Sequence, residues 1–254
     1  MKGKLFIISA PSNYELLSLK SIEALKVCDI VLYDDLIDKK ILSFSKGKNI
    51  YVGKRAKAHH TDQSLINSLI EDSLRKGLTV GRLKGGDTAF FSRVIEEIET
   101  AERLNAEIEI IPGITTASLF SSILKTPLTA RNISKGVIFI TGHSADTDIE
   151  NYYDFEAIVR LNMTIVIYMG VLNFEKIAEK LLECGMDKNT PVCAGESLGF
   201  ENEKIICFEL KNKECISLIK PPAIIVIGEI LRREGVFDAL CNRCRSRKAR
   251  IFNT

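Results

Sequence analysis

The sequence predicts an α/β protein made of two consecutive domains. Three observations carry this expectation. Short unbroken runs of apolar and β-branched residues alternate with stretches of helical spacing, the pattern of strands covered by helices on both faces of a sheet. Several of the runs end in glycine, proline or aspartate. The alternation is interrupted over Thr126 to Lys135 and then restarts, which places one domain at 1–130, a second at 131–234 and a basic tail at 235–254.

Leu5 to Ser9 reads as the first strand. Leu16, Leu19, Ile22 and Leu25 recur at helical spacing. Ile30 to Tyr33 is a strand that ends on Asp34 and Asp35, and Ile50 to Val52 is a strand that leads into Gly53-Lys54-Arg55. Gln63 to Lys76 is an amphipathic helix closed by Gly77. Thr79 to Leu83 is a strand running into Lys84-Gly85-Gly86-Asp87, with a helix expected over Val94 to Leu104. Strand Ile108 to Ile111 meets Pro112-Gly113, and Thr115 to Leu124 reads as helical. The second series comprises strands Val137 to Thr141 and Thr164 to Tyr168, then helix Phe174 to Cys184 capped by Gly185. Strands Pro191 to Ala194, Ile205 to Leu210 and Ala223 to Gly228 follow. These last strands lie close together, so antiparallel pairs are expected among them.

Composition excludes several classes of function. A net charge of +2 provides no overall field toward nucleic acid. No apolar run approaches the roughly 18 residues of a spanning helix, and the N-terminal apolar run is too short for a secretory signal. The seven cysteines are an odd number. Cys28, Cys184, Cys193, Cys207 and Cys215 are scattered within elements, which reads as reduced core thiols in a cytoplasmic protein. Cys241 and Cys244 supply half of a zinc site with no second pair in view, so no metal is expected.

The chemistry gathers at strand ends. If the first-domain strands are parallel, Pro11-Ser12-Asn13, Asp34, Lys54-Arg55, Gly85-Gly86-Asp87 and Thr115-Thr116 share one sheet edge, where ligands of open α/β sheets bind. Glycines there admit a ligand to the backbone, although Gly-Gly-Asp also reads as a plain turn with an N-capping aspartate. Lys54, Arg55, Lys57, His59, His60, Arg82, Lys84 and Arg131 place positive charge near that edge, either as a solvated face or as a grip for a polycarboxylate. Asp34 is a base or a cap. Lys54 is an acid or an anion hook. The sequence contains no nucleophile elbow, P-loop or complete dinucleotide fingerprint.

These motifs, taken in order, resemble the tetrapyrrole methylases from Leu5 to about Arg233. The segments that carry the resemblance are YELLSLKSIEAL, DIVLYDDLI, YVGKRAKAH, RLKGGD, IIPGITTA, PLTAR, FITGH, IYMGV, TPV and PPAIIVIGE. The resemblance implies two α/β domains with S-adenosylmethionine bound in the cleft between them, and a cytoplasmic homodimer. It implies C-methylation of uroporphyrinogen III at C2 and C7, giving precorrin-2 through precorrin-1 for sirohaem and cobalamin synthesis. The alternatives are a methylase of a later corrin precursor, or a catalytically weak tetrapyrrole-binding relative. No nucleic acid or membrane partner is implied.

Carried over by motif, Asp34 matches the family's proton acceptor and Lys54 its proton donor. Pro11, Gly85, Gly86, Asp87, Phe90, Thr115, Thr116, Met169 and Leu198 match cofactor positions. The chain also departs from the family pattern. Ile8-Ser9-Ala10-Pro11-Ser12-Asn13 stands where the family has Gly-Ala-Gly-Pro-Gly-Asp, so strain is expected if those glycines need positive φ. Thr88 replaces a proline, Ser92 and Val94 replace glycines, and Asp35 replaces a basic residue.

Overall fold

The computed structural model describes residues 3–53, 63–143, 148–235 and 237. Lys54, Arg55, Lys57, His59, His60, Cys241 and Cys244 lie outside them. Contacts divide the chain into two units, Met1–Thr116 and Ala117–Thr254.

The first unit holds strands β1 (Lys4–Ala10), β2 (Ile30–Tyr33), β3 (Lys48–Tyr51), β4 (Thr79–Gly85) and β5 (Glu107–Ile111). They form one sheet in the order β3-β2-β4-β1-β5, and every pairing is parallel. Side-chain alternation along the strands builds two cores. Phe6, Ile8 and Ala10 of β1, Val31 of β2 and Leu83 of β4 pack with Ala24 and Leu25 of helix α1 (Leu19–Val27). Leu5, Ile7, Leu32 and Val80 point the other way, to Ile66, Ile70 and Leu74 of α2 (Gln63–Arg75) and Ala101 of α3 (Ile95–Arg103). Ser18 caps α1 by accepting the Ser21 N–H at 3.1 Å. Gly77, at φ +74°, ends α2 in the left-handed conformation.

Cys28, buried after α1, donates its thiol to the Ala24 carbonyl at 3.1 Å. Burial, with a smaller contribution from the Asp29 charge, pushes its pKa up from 9.0 to about 12. Between those values the folded protein keeps a proton that the unfolded chain releases. Its contribution to stability therefore falls as pH rises above 9.0. Iodoacetamide at pH about 8.5 is expected to leave Cys28 unmodified in the native protein and to alkylate it in urea. Modification of the native protein, read by peptide mass, would show that this core opens.

The second unit holds β6 (Val137–Thr141), β7 (Thr164–Tyr168), β8 (Pro191–Glu196), β9 (Lys204–Glu209) and β10 (Ala223–Ile227), in the order β6-β7-β10-β8-β9. β6 and β7 are parallel, while the pairs β7–β10, β10–β8 and β8–β9 are antiparallel; the close spacing of β8 and β9 predicted such a pair, whereas β7–β10 joins strands far apart in the chain. One face packs on α5 (Phe155–Leu161) and α6 (Phe174–Glu183). The other packs on Ala117 and Phe120 of α4 (Thr116–Ile123). Cys193 and Cys207 are not free thiols but a disulfide. They stand directly opposite each other on β8 and β9, a register that their spacing in sequence does not reveal. Cys28 and Cys184 are free thiols.

Candidate active site

Because every first-unit strand runs the same way, the residues following their carboxyl ends share one edge. Pro11 follows β1, Asp34 follows β2, Gly86 and Asp87 follow β4, and Thr115 and Thr116 follow β5. The sequence expectation of a common edge is met for these residues; Lys54, after β3, lies outside the described ones.

The turn after β4 is built for close approach. The Gly86 N–H donates to the Ala10 carbonyl at 2.6 Å, and Gly86 sits at φ +79°. Among the described residues a Cβ there would meet only Thr116 Oγ1, at 3.7 Å. Its bare α-carbon therefore leaves open space beside a hydroxyl, a cradle that a Cβ would occupy. Gly85 has the opposite surroundings: a Cβ would lie 2.5 Å from Leu36 Cβ and 2.6 Å from its carbonyl oxygen. Gly85→Ala must displace the loop after Asp34, at an expected cost of about 1–3 kcal/mol in urea unfolding. An unchanged midpoint would show that the loop yields freely. The N-cap expected of Asp87 is not made. Its Oδ1 accepts the Ala89 N–H at 3.0 Å, an Asx turn, and α3 starts only at Ile95 with Val94 before it.

The two cations of Arg-Leu-Lys do not face a ligand. Arg82 and Lys84 share the strand parity of Val80 and point toward α3, where Glu97 meets both. Arg82 Nε lies 3.0 Å from Glu97 Oε1, and Lys84 Nζ lies 2.9 and 3.1 Å from its two oxygens. Relative exposures are 4% for Arg82, 6% for Lys84 and 0% for Glu97, so these charges are buried and paired. Burial lowers the Lys84 pKa; the Arg82 charge adds to that and Glu97 opposes it. Arg82 also donates to the Leu83 carbonyl at 2.8 Å and reaches Asp34 Oδ2 at 3.4 Å. Asp34 Oδ1 accepts the Leu36 N–H at 3.3 Å. Asp34 thus closes a local turn and also stands at the open end of a buried ion network. Asp35, beside it, accepts the Tyr51 hydroxyl at 2.6 Å.

The altered first loop carries none of the expected strain. Ser9, Ala10, Ser12 and Asn13 are absent from the residues with positive φ. Asn13 lies at φ −118° and accepts the Glu15 N–H. Positive φ appears instead at Phe91 (51°) and Arg93 (54°), just past Phe90.

In the second unit Met169 follows β7 at φ 52° and is 52% exposed. A left-handed non-glycine residue at a strand end is the kind of strain found at binding sites. Leu198 is buried, with its side chain on the bare face of Gly195, where a Cβ would lie 2.7 Å from Leu198 Cδ2. Both follow strand ends flanking the start of β10, since Tyr168 pairs with Ile224 and Glu196 with Ala223.

The family model for Tetrapyrrole (Corrin/Porphyrin) Methylases matches residues 4–213. The chain belongs to the tetrapyrrole methylases. It is 36% identical over 239 residues to the uroporphyrinogen-III C-methyltransferase of Methanocaldococcus jannaschii, covering 91% of this chain and 98% of that protein. It is 35% identical over 236 residues to the siroheme synthase of Pseudoalteromonas atlantica, spanning 91% of this chain but about half (51%) of that protein. Among solved structures, uroporphyrin-III C-methyl transferase from Thermus thermophilus, complexed with S-adenosyl homocysteine, matches with a TM-score of 0.76 at 32% identity. That match covers 90% of this chain and 99% of the other. The chain has no helix, among its described residues, long and apolar enough to cross a membrane. Among the same residues no group of three His, Cys, Asp or Glu side chains converges as a metal site would require. Sequence reasoning missed Glu97, which reads as one of several solvated glutamates on α3.

Proposed function

We propose that this methylase transfers methyl groups from S-adenosylmethionine to C2 and C7 of uroporphyrinogen III, giving precorrin-2 through precorrin-1. The observation that carries the reading is the 36% identity to a uroporphyrinogen-III C-methyltransferase along 98% of its length. A sulfonium donor supplies a methyl group that a nucleophilic pyrrole carbon can take directly, without a metal. The chain's own residues then have positioning and proton work to do. Gly86 leaves room at the strand edge, and the turn from Gly85 to Asp87, with Pro11, Phe90, Thr115 and Thr116, is assigned to the donor. Met169 and Leu198 are assigned to it by the family resemblance. Asp34 takes a proton from the ring system and Lys54 returns one. The homodimer, the cytoplasmic location and a role in sirohaem and cobalamin synthesis belong to the same reading and rest on the family resemblance.

Incubation with uroporphyrinogen III and S-adenosylmethionine, read by mass, is expected to show a gain of two methyl groups. A gain of none, with intact S-adenosylhomocysteine binding, would move the substrate to a later corrin precursor. Met169→Ala is expected to weaken S-adenosylhomocysteine binding about tenfold, the size of one lost contact of roughly 1.4 kcal/mol. An unchanged dissociation constant removes Met169 from the site.

A further inference from the structure

Three of the positions at which the chain departs from its family's motifs are joined by hydrogen bonds. Ser9 Oγ accepts the Thr88 backbone N–H at 3.0 Å and lies 3.0 Å from Thr88 Oγ1, and both residues are buried. The Ser92 hydroxyl donates to the Thr88 carbonyl. Next to them, the Gly86 N–H reaches the Ala10 carbonyl.

The first two substitutions depend on each other. With threonine rather than proline at 88, a backbone N–H exists in a buried place and needs an acceptor. Alanine, the family's residue at 9, would offer no oxygen to accept it. Conversely, a proline ring at 88 would replace that N–H with carbon facing Ser9 Oγ across a hydrogen-bonding distance. Room for the Ser9 side chain comes from a third loop: a Cβ on Gly113 would lie 2.6 Å from Ser9 Cβ. Downstream, Phe91 and Arg93 hold positive φ without being glycine, a conformation that persists only where neighbouring contacts fix it. The Ser92–Thr88 bond closes over Phe91 and ends one residue before Arg93.

We propose that Ser9, Thr88 and Ser92 form a polar clamp that pre-organises the Gly85–Asp87 turn for the methyl donor, replacing the stiffness a proline would supply. Ser9 and Thr88 are then positioning residues. The proposal rests on the assignment of that turn to the donor made under Proposed function. Ordering the turn before binding removes a cost that the ligand would otherwise meet.

The test is a double-mutant cycle read by S-adenosylhomocysteine calorimetry on the full chain, with Ser9→Ala, Thr88→Pro and the double variant. Each single change leaves a buried polar group without its partner and is expected to weaken binding about tenfold. The double change removes both partners and is expected to return affinity to within about threefold of the parent. Amide exchange of ligand-free protein supplies a second measurement: the Thr88 N–H is expected to be protected in the parent and to exchange about tenfold faster in Ser9→Ala. Additive losses in the double variant, unchanged single variants or an unprotected Thr88 amide would each overturn the clamp. If the parent fails to bind S-adenosylhomocysteine at all, the donor assignment fails and the positioning role with it. A protected Thr88 amide would in that case mark the bonds as purely structural.

Discussion

Glu97→Gln is expected to lower the stability of the protein by about 3 kcal/mol or more. Glu97 is fully buried and is the carboxylate on which Arg82 and Lys84 both converge. Glutamine keeps the shape and one acceptor oxygen, yet removes the negative charge and turns an NH₂ donor toward two cations. Arg82 retains the Leu83 carbonyl and a long contact to Asp34. Lys84 loses an ion pair made at 2.9 Å, and burial already disfavours its charge. Desolvation rather than the lost attraction decides the size of the effect, because the cations stay buried when their partner goes. The same reasoning gives a control. Arg82→Met, Lys84→Met and Glu97→Leu together remove every buried charge of the trio and are expected to recover most of the loss. Urea unfolding checks both: a midpoint lower by about 1–2 M in Glu97→Gln, and largely restored in the triple variant. A fall below about 0.3 M would show that water or another group reaches the cations.

That network also marks where sequence reading stops. The strand ends were legible because β-branched runs such as Ile30–Tyr33 stop at charged or glycine turns. Asp34, Gly86 and Thr116 could therefore be placed on one edge once the strands were taken as parallel. The order β3-β2-β4-β1-β5 was not legible, since all its pairings but β2–β3 join strands that are not consecutive in the chain. Glu97 was hidden among Glu96, Glu99 and Glu102, a run that reads as a solvated face. A signal did exist: Arg82 and Lys84 alternate with Gly81 and Leu83 and share the parity of Val80, so two cations had to point inward and needed an acid. Helix α5 was missed because its seven residues bury only Phe155 and Ile158, too few to show a period. Its cap, Asp154 accepting the Ala157 N–H, was the available cue. The Ser9–Thr88 pair lay outside any single-residue reading. Each substitution taken alone looked like the loss of a motif residue, and their complementarity appears only when β1 and the turn after β4 lie side by side.

Asp34→Asn is expected to cut turnover by about 10²–10⁴-fold while leaving S-adenosylhomocysteine affinity and folding nearly unchanged. Two roles compete at this residue, and asparagine separates them. If Asp34 acts only by closing the turn onto the Leu36 N–H, asparagine serves as well, because its side-chain oxygen makes the same Asx turn. If Asp34 takes a proton, the amide cannot, and turnover collapses. The geometry keeps the comparison clean. The contact from Arg82 is long, at 3.4 Å, and Asp34 is only half-buried, so losing its charge is expected to alter stability by less than about 1 kcal/mol. Arg82 remains held by Glu97 and the Leu83 carbonyl. Single-turnover kinetics with saturating donor, alongside calorimetry and urea unfolding, decide the matter. Near-parent turnover would assign Asp34 to the turn and leave the base to be sought elsewhere, while a parallel loss of donor affinity would make Asp34 a binding residue. A rate collapse with the other two measurements unmoved is the outcome that only a proton acceptor produces.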